Sequence, residues 1–340
     1  MREQKSGSDL VACWLALILV LLVTMISVGG ITRLTGSGLS ITEWKPILGA
    51  IPPLQENEWL EVFEKYKKIP QFEMLHSSMD LSQFKFIYYW EYAHRLLGRL
   101  IAVVVLVPGL LFTVRKSLGQ KFSLRVLIGF ALGAIQGSLG WFMVKSGLSE
   151  SIYVSHIRLA AHLLLGMSIL SYWCVLYLAW KSRFEERNCA GSVFNQFKFS
   201  IFAIGGLLFF QLMYGAFMAG LGAGNGYNTF PKMNGDWIPF PLTQLALIQF
   251  IHRWLAVLLL IVTVVVVARM KEMEVPYRSR KSGVYFLVLL CAQFFLGVLT
   301  LVFNVPLVLA SLHQLNACFL VICITAWSYR SGVGGASHEI

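Results

Sequence analysis

Eight runs of predominantly apolar residues dominate this 340-residue sequence, near 11–30, 84–114, 124–144, 156–180, 199–221, 244–268, 283–304 and 306–328. A helix rises about 1.5 Å per residue, so roughly 20 such residues cross the ~30 Å hydrocarbon core of a bilayer. No water reaches the backbone there, and a helix satisfies its own N–H and C=O groups within one segment. The sequence therefore predicts an all-α integral membrane protein with eight transmembrane helices. A charged fraction of only 13% and a mean hydropathy of +0.68 fit that class. The first run follows MREQK, but it is long for a signal-peptide core and no small-x-small cleavage site follows, so it reads as a retained span.

The formal net charge of +11 is read as membrane topology, with no nucleic-acid partner expected. The N-terminus, the segments near 115–125, 181–198 and 269–281, and the C-terminus hold 16 of the 28 Lys and Arg, which predicts cytoplasmic termini. The absence of an Arg- and Ser-rich presequence favours a bacterial inner (plasma) membrane over a mitochondrial one. Cys13, Cys174, Cys189, Cys291, Cys318 and Cys323 fall in spans or in a cytoplasmic loop and read as small apolar fillers, with no CxxC pair.

The spans repeat. "AHRLLGRLIAVVVL" in the second recurs as "IHRWLAVLLLIVTVV" in the sixth, pairing His94 with His252 and Arg95 with Arg253 at an offset of 158. "QGSLG" and "QFFLG" pair Gln136 with Gln293 at 157, and "LAAHLLLG" and "LASLHQLN" pair His162 with His313. "GITRLTGSGLSITEWKP" and "GAFMAGLGAGNGYNTFP" each run 16 residues from Gly to Pro, at an offset of 185. The expectation is two pseudosymmetric four-helix bundles, residues 1–185 and 186–340, the first interrupted by a long external loop at 33–83. Within that loop Trp59, Phe63 and Tyr66 sit at i, i+4 and i+7, the pattern of an amphipathic helix on the membrane surface or of a structural lid.

His94, His162, His252 and His313 are the histidines the repeat doubles, all in the outer halves of helices running in one direction. A lone intramembrane histidine is ordinarily an interhelical hydrogen-bond partner. Two matched pairs suit bis-histidine haem ligation, because iron takes two axial nitrogens and the macrocycle fills the space between helices. Zinc or copper would call for three or four ligands, and the repeat supplies no matching Cys or carboxylate. Arg95 and Arg253 can reach propionates at the outer rim, or snorkel to headgroups. His156 and Arg158 read as interfacial anchors, and His76 and His338 as solvated.

Glu91 is the only acidic residue inside a span. A carboxylate at membrane depth costs about 2.5–3.5 kcal/mol on insertion scales. It shares a helix face with His94 at i+3, and Arg95 at i+4 offers an ion pair instead. The duplicate "QFIHR" keeps the His and Arg but has Gln249 in place of Glu91. The amino half is therefore the candidate reaction chamber, with Glu91 taking a proton or stabilising developing positive charge.

"GGITRLTGSGLSITEWKPILGAIPPL", "FKFIYYWEYAHRLLGR", "QGSLGWFMVKSGL", "RLAAHL", "NTFPKMNG", "QFIHR" and "LASLHQ" together resemble the haem A synthase family in its α-proteobacterial and mitochondrial form, in order from about residue 28 to 328. The resemblance implies oxidation of the C8 methyl of haem O, the substrate, to a formyl, through an alcohol and a gem-diol that loses water. It implies that His94 and His162 surround the substrate haem and are catalytic with Glu91, and that His252 and His313 ligate a haem b. Haem O synthase, cytochrome oxidase assembly factors and an unidentified electron acceptor are the implied partners, alongside membrane lipid. The cysteine pair that some relatives carry in the first external loop has no counterpart between Arg33 and Lys85. Two rivals come from other classes: a quinol-linked diheme b-type electron carrier that does no chemistry on its own haem, and a transporter, against which the outward placement of all four histidines argues, since a carrier's polar residues would cluster at the midplane.

Overall fold

A computed structural model describes residues 2–45, 48–150, 154–183, 192–273 and 275–332. Cys189, His338 and the 185/186 boundary between the halves lie outside the described residues. Ten α-helices form among the described residues: α1 (Arg2–Leu34), α2 (Glu56–Tyr66), α3 (Pro70–Leu75), α4 (Leu81–Val114), α5 (Gln120–Glu150), α6 (His156–Lys181), α7 (Ser192–Leu221), α8 (Gln244–Arg269), α9 (Tyr277–Val302) and α10 (Leu307–Arg330). No strand forms among the described residues. All except α2 and α3 are long and apolar enough to span a membrane, giving eight spans. The chain is thus an all-α, multi-pass membrane protein. Several helices overrun their apolar runs at a polar end: α1 starts at Arg2, nine residues ahead of its run, α7 at Ser192, seven ahead, and α9 at Tyr277, six ahead, where the polar "YRSRKS" continues the helix.

Helix ends follow local chemistry. Asp80 Oδ1 accepts from Gln83 N at 2.8 Å while Gln83 Oε1 accepts from Asp80 N at 3.1 Å, a capping box that starts α4. Thr243 caps α8 through Ala246 N at 3.3 Å, and Pro276 and Pro306 open α9 and α10. Within the spans, hydroxyls fold back on their own helix: Thr24 to Val20 O, Ser27 to Val23 O, Thr113 to Gly109 O and Thr263 to Leu259 O, all at 2.7–2.9 Å. That device satisfies a polar group where lipid supplies no partner.

Packing partners correspond between the repeats: α1 lies on α4 as α7 lies on α8, α4 on α5 as α8 on α9, and α5 on α6 as α9 on α10. Contacts across the middle are made by α1, α6, α7 and α10. The core there is aromatic, with Trp173, Trp327, Phe197 and Phe286 fully buried. Glycines let the rings approach neighbouring backbone. A Cβ on Gly129 would sit 2.6 Å from Trp173, and one on Gly283 2.8 Å from Trp327. Gln314 on α10 is wedged against Gly30 on α1, where a Cβ would fall 2.1 Å from its Oε1, and its Nε2 donates to Ile26 O at 2.7 Å.

Helices α2 and α3 form a cap on the starting end of α4. Trp59, Phe63 and Tyr66 are buried against Phe84, Ile87 and Tyr88. The Phe63 and Phe84 rings stack at 4.9 Å and those of Trp59 and Tyr88 meet edge-on at 5.0 Å. The amphipathic face is therefore covered by protein. His76, expected to be solvated, is half-buried and hydrogen-bonded through Nδ1 to the Tyr66 hydroxyl at 2.6 Å, and burial lowers its pKa. Glu43 ties loop to cap through Lys45 and Lys65 at 2.7 and 2.8 Å, and these hydrogen bonds hold its carboxyl below the ordinary carboxylate range.

Gly129→Ala would press a methyl into Trp173, and a loss of about 1–3 kcal/mol is expected from overpacking. Gly133→Ala opens on free space and should be neutral or stabilising, because alanine is the better helix former by about 1 kcal/mol. Thermal unfolding of the two variants in one detergent checks the contrast.

Candidate functional site

The four repeated histidines occupy equivalent seats. His94 on α4 packs against Gly29 on α1, and His162 on α6 against Gly140 on α5. His252 on α8 packs against Gly215 on α7, and His313 on α10 against Gly297 on α9. A Cβ on those glycines would lie 2.8, 2.9, 3.2 and 3.0 Å from the imidazole Cε1. Only a residue without a side chain leaves room for each ring edge. His94 and His162 are within electrostatic reach of one another, as are His252 and His313.

Four residues before the glycine stands Gln136, Gln211 or Gln293, so "QxxxG" occurs three times on the helices facing the histidines. Gln211 Nε2 lies 3.2 Å from His252 Nδ1, and Gln293 Nε2 lies 3.2 Å from His313 Nε2. Gln136 turns instead to His162 O at 2.9 Å, and at the His94 seat the position is Met25. Nδ1 of His94, His162 and His313 is buried without a hydrogen-bond partner. A buried, unpaired polar atom costs about 1–3 kcal/mol. An unpaired buried nitrogen at three matched positions singles out these histidines as candidate ligands.

Glu91, 3% exposed, is held from three sides. Oε2 accepts from Ser40 Oγ at 2.7 Å and from Ile41 N at 2.8 Å, while Oε1 accepts from Arg95 Nη2 at 2.6 Å and Nε at 3.1 Å. Arg95 also donates to Ile41 O at 3.0 Å, so acid and base together bind the loop that follows α1. The ion-pair alternative thus describes Arg95 in this structure, which engages Glu91 and loop carbonyls.

In the other half Arg253, 8% exposed, donates to Tyr227 O at 2.6 Å and Thr229 O at 2.7 Å. Gln249 Nε2 donates to the same Tyr227 O at 2.9 Å. The loop therefore presents donors to Glu91 in one half and an acceptor to Gln249 in the other. The matching contacts, Ile41 with Tyr227 and Gly29 with Gly215, fall at an offset of 186, one residue beyond the Gly-to-Pro spacing.

Ser40, Ile41 and the seat glycines were not among the residues the sequence singled out. The "QxxxG" recurrence could have found three of the glycines. Nothing local announces Ser40, whose partner is 51 residues away. His156 packs edge-on to Phe217 at 5.8 Å, and Arg158 lies over Phe142 at 4.3 Å.

Arg95→Ala leaves Glu91 as a buried charge without its counter-ion and should cost about 3–5 kcal/mol. Arg253→Ala leaves only carbonyls unpaired and should cost about 1–3 kcal/mol. Unfolding midpoints in detergent, with limited proteolysis of the loop after α1, check the ordering.

With this geometry in hand, known proteins supply context. The family model COX15-CtaA, described as a cytochrome oxidase assembly protein, matches residues 12–325. The chain is 41% identical over 323 residues to a protein named "Heme A synthase" from Nitrosomonas eutropha, covering 91% of this chain and 90% of that one. It is 41% identical over 336 residues to one of the same name from Paracoccus denitrificans, covering 94% and 87%. A third, from Rickettsia africae, is 37% identical over 334 residues, covering 94% and 97%. Full-length matches of this kind, over a fold of eight spanning helices, place the chain in the COX15-CtaA family of cytochrome oxidase assembly proteins.

Proposed function

We propose that this protein is a haem A synthase, oxidising the C8 methyl of haem O to a formyl to give haem A for cytochrome oxidase. The observation that carries the reading is the asymmetric carboxylate. Two halves share histidine seats and arginine-to-loop contacts, and one of them alone adds Glu91 with a purpose-shaped set of donors. Relatives named for this activity match more than nine-tenths of the chain.

The two halves, residues 1–185 and 186–340, are read as two four-helix bundles with different tasks. His94 on α4 and His162 on α6 would hold a planar macrocycle between them, since α1 and α5 each pack on both of these helices. The same holds for His252 and His313. The glycine seats, the unpartnered Nδ1 atoms and the absence of any cluster of three or more His, Cys, Asp or Glu among the described residues favour a bis-imidazole group over zinc or copper. His252 and His313 would hold a haem b, which would supply one-electron redox chemistry; Arg253, next in sequence to His252, is committed to the carbonyls of Tyr227 and Thr229.

In the amino half, successive hydroxylations convert methyl to alcohol and then to a gem-diol, which loses water. Oxygen comes from water, and electrons and protons leave in pairs. Glu91 would supply negative charge to the chamber; its four hydrogen bonds occupy both oxygens, so uptake of a released proton requires one donor, Ser40 Oγ or Arg95 Nε, to let go. Arg95, Ser40 and Ile41 fix the carboxylate so that it need not reorganise during the step. The cap of α2 and α3 lies over this half and limits access of bulk water. Electrons pass to an acceptor in or at the membrane. Haem O synthase and oxidase assembly factors are the expected functional neighbours. The distribution of Lys and Arg orients the chain in a bacterial inner membrane with cytoplasmic termini and the cap outside.

Co-expression with a haem O synthase, followed by mass analysis of extracted porphyrins, should show methyl-to-formyl conversion. Unchanged haem O would overturn the assignment in favour of an electron carrier. Glu91→Gln copies Gln249 and should retain bound haem while turnover falls by about two orders of magnitude or more, the range of general acid–base contributions. Haem spectra and product mass measured on one preparation separate the two effects.

A further inference from the structure

Between the loop at 41–45, Arg95 of α4 and the C-terminal turns of α5 lies a half-open cleft of about 210 Å³. Its charged lining residues are Glu43, Arg95 and Lys145, and its aromatic walls are Trp44 and Trp141. Two of the charges are already neutralised. Arg95 is bound to Glu91 at 2.6 Å, and Glu43 to Lys45 and Lys65. Lys145 is different: its ammonium lies 5.1 Å from the Trp141 ring centroid, and it has no carboxylate partner among the described residues. The cleft therefore carries a net positive charge beside two indole rings.

The cleft is also one-sided in the repeat. At the offset of 157 that pairs Gln136 with Gln293 and Gly140 with Gly297, Lys145 corresponds to Val302 and Trp141 to Val298. The half that has Glu91 is the half that has this lysine and this tryptophan. Its position follows the histidine seats. Arg95 directly follows His94, and Trp141 directly follows Gly140, which seats His162. Lys145 lies five residues beyond Gly140, about 7.5 Å along the helix toward the capped face.

We propose that this cleft is a carboxylate subsite for the exchangeable porphyrin of the amino half, with Lys145 receiving an acidic side arm and Trp44 and Trp141 flanking the ring edge. The proposal rests on the haem O reading of that half and extends it to the groups that recognise the substrate. A resident haem needs permanent anchoring, whereas a substrate must be captured and released. A single exposed ammonium at the mouth suits capture, because it gains a charge-assisted hydrogen bond without burying an ion. Lys145 is a binding residue in this scheme and touches no reacting atom.

The test uses the purified holoprotein in detergent, titrated with ferric haem as the free diacid and as its dimethyl ester, with quenching of tryptophan fluorescence and the Soret band as readouts. The wild type should bind the diacid about tenfold or more tightly than the ester, the scale of one charge-assisted contact. Lys145→Gln should abolish most of that preference while leaving ester binding unchanged, and Lys145→Arg should keep it. Equal binding of acid and ester by the wild type overturns the proposal, as does a preference that survives Lys145→Gln. The catalytic reading fails separately: a protein that discriminates acid from ester through Lys145 yet leaves haem O unoxidised keeps the subsite and loses the enzyme.

Discussion

Hydrocarbon offers no hydrogen bonds, and every polar group placed in it must be satisfied by the protein. This condition explains the serine and threonine hydroxyls that return to their own helices. It also explains Trp14, whose indole Nε1 donates to Val104 O on the neighbouring helix at 2.7 Å. Among the buried polar atoms that find no partner, the Nδ1 atoms of His94, His162 and His313 stand out because they recur at matched positions of the repeat. Glu91 is the opposite extreme, a carboxylate surrounded by more donors than an ordinary structural ion pair needs.

The two halves share a scaffold and differ in one contact. The histidine seats and arginine-to-loop contacts are common to both. The loop after the first helix of each half has the reverse polarity in its contact with α4 or α8: N–H and O–H toward Glu91, C=O toward Gln249. Substituting one side chain would not interconvert the halves, because the loop backbone would also have to change direction. The asymmetry is thus structural and not confined to one residue.

The spans were legible because twenty apolar residues in a row admit few other structures, and the four histidines because the repeat set them apart. Their packing partners were less so. Glycine seats are recognisable only once the helix facing each imidazole is known, and "QxxxG" identifies three of four because Met25 breaks the pattern. Ser40 and Ile41 were out of reach of local reasoning, as their contact with Glu91 depends on how the loop after α1 crosses α4. The amphipathic pattern of Trp59, Phe63 and Tyr66 left lipid and protein as alternative partners, and only the aromatic face of α4 decides between them. His76 looked solvated because Tyr66 is ten residues away and meets it only after α3 turns the chain back.

The wedge of Gln314 against Gly30 bears on how the halves move. Because Gln314 Oε1 occupies the space a β-carbon would fill, α1 and α10 interlock like teeth, and sliding of one half past the other would first have to withdraw the amide and break its bond to Ile26. Rocking of two bundles about a central site, the motion of carriers, would have to begin by undoing this contact, so the interlock resists it.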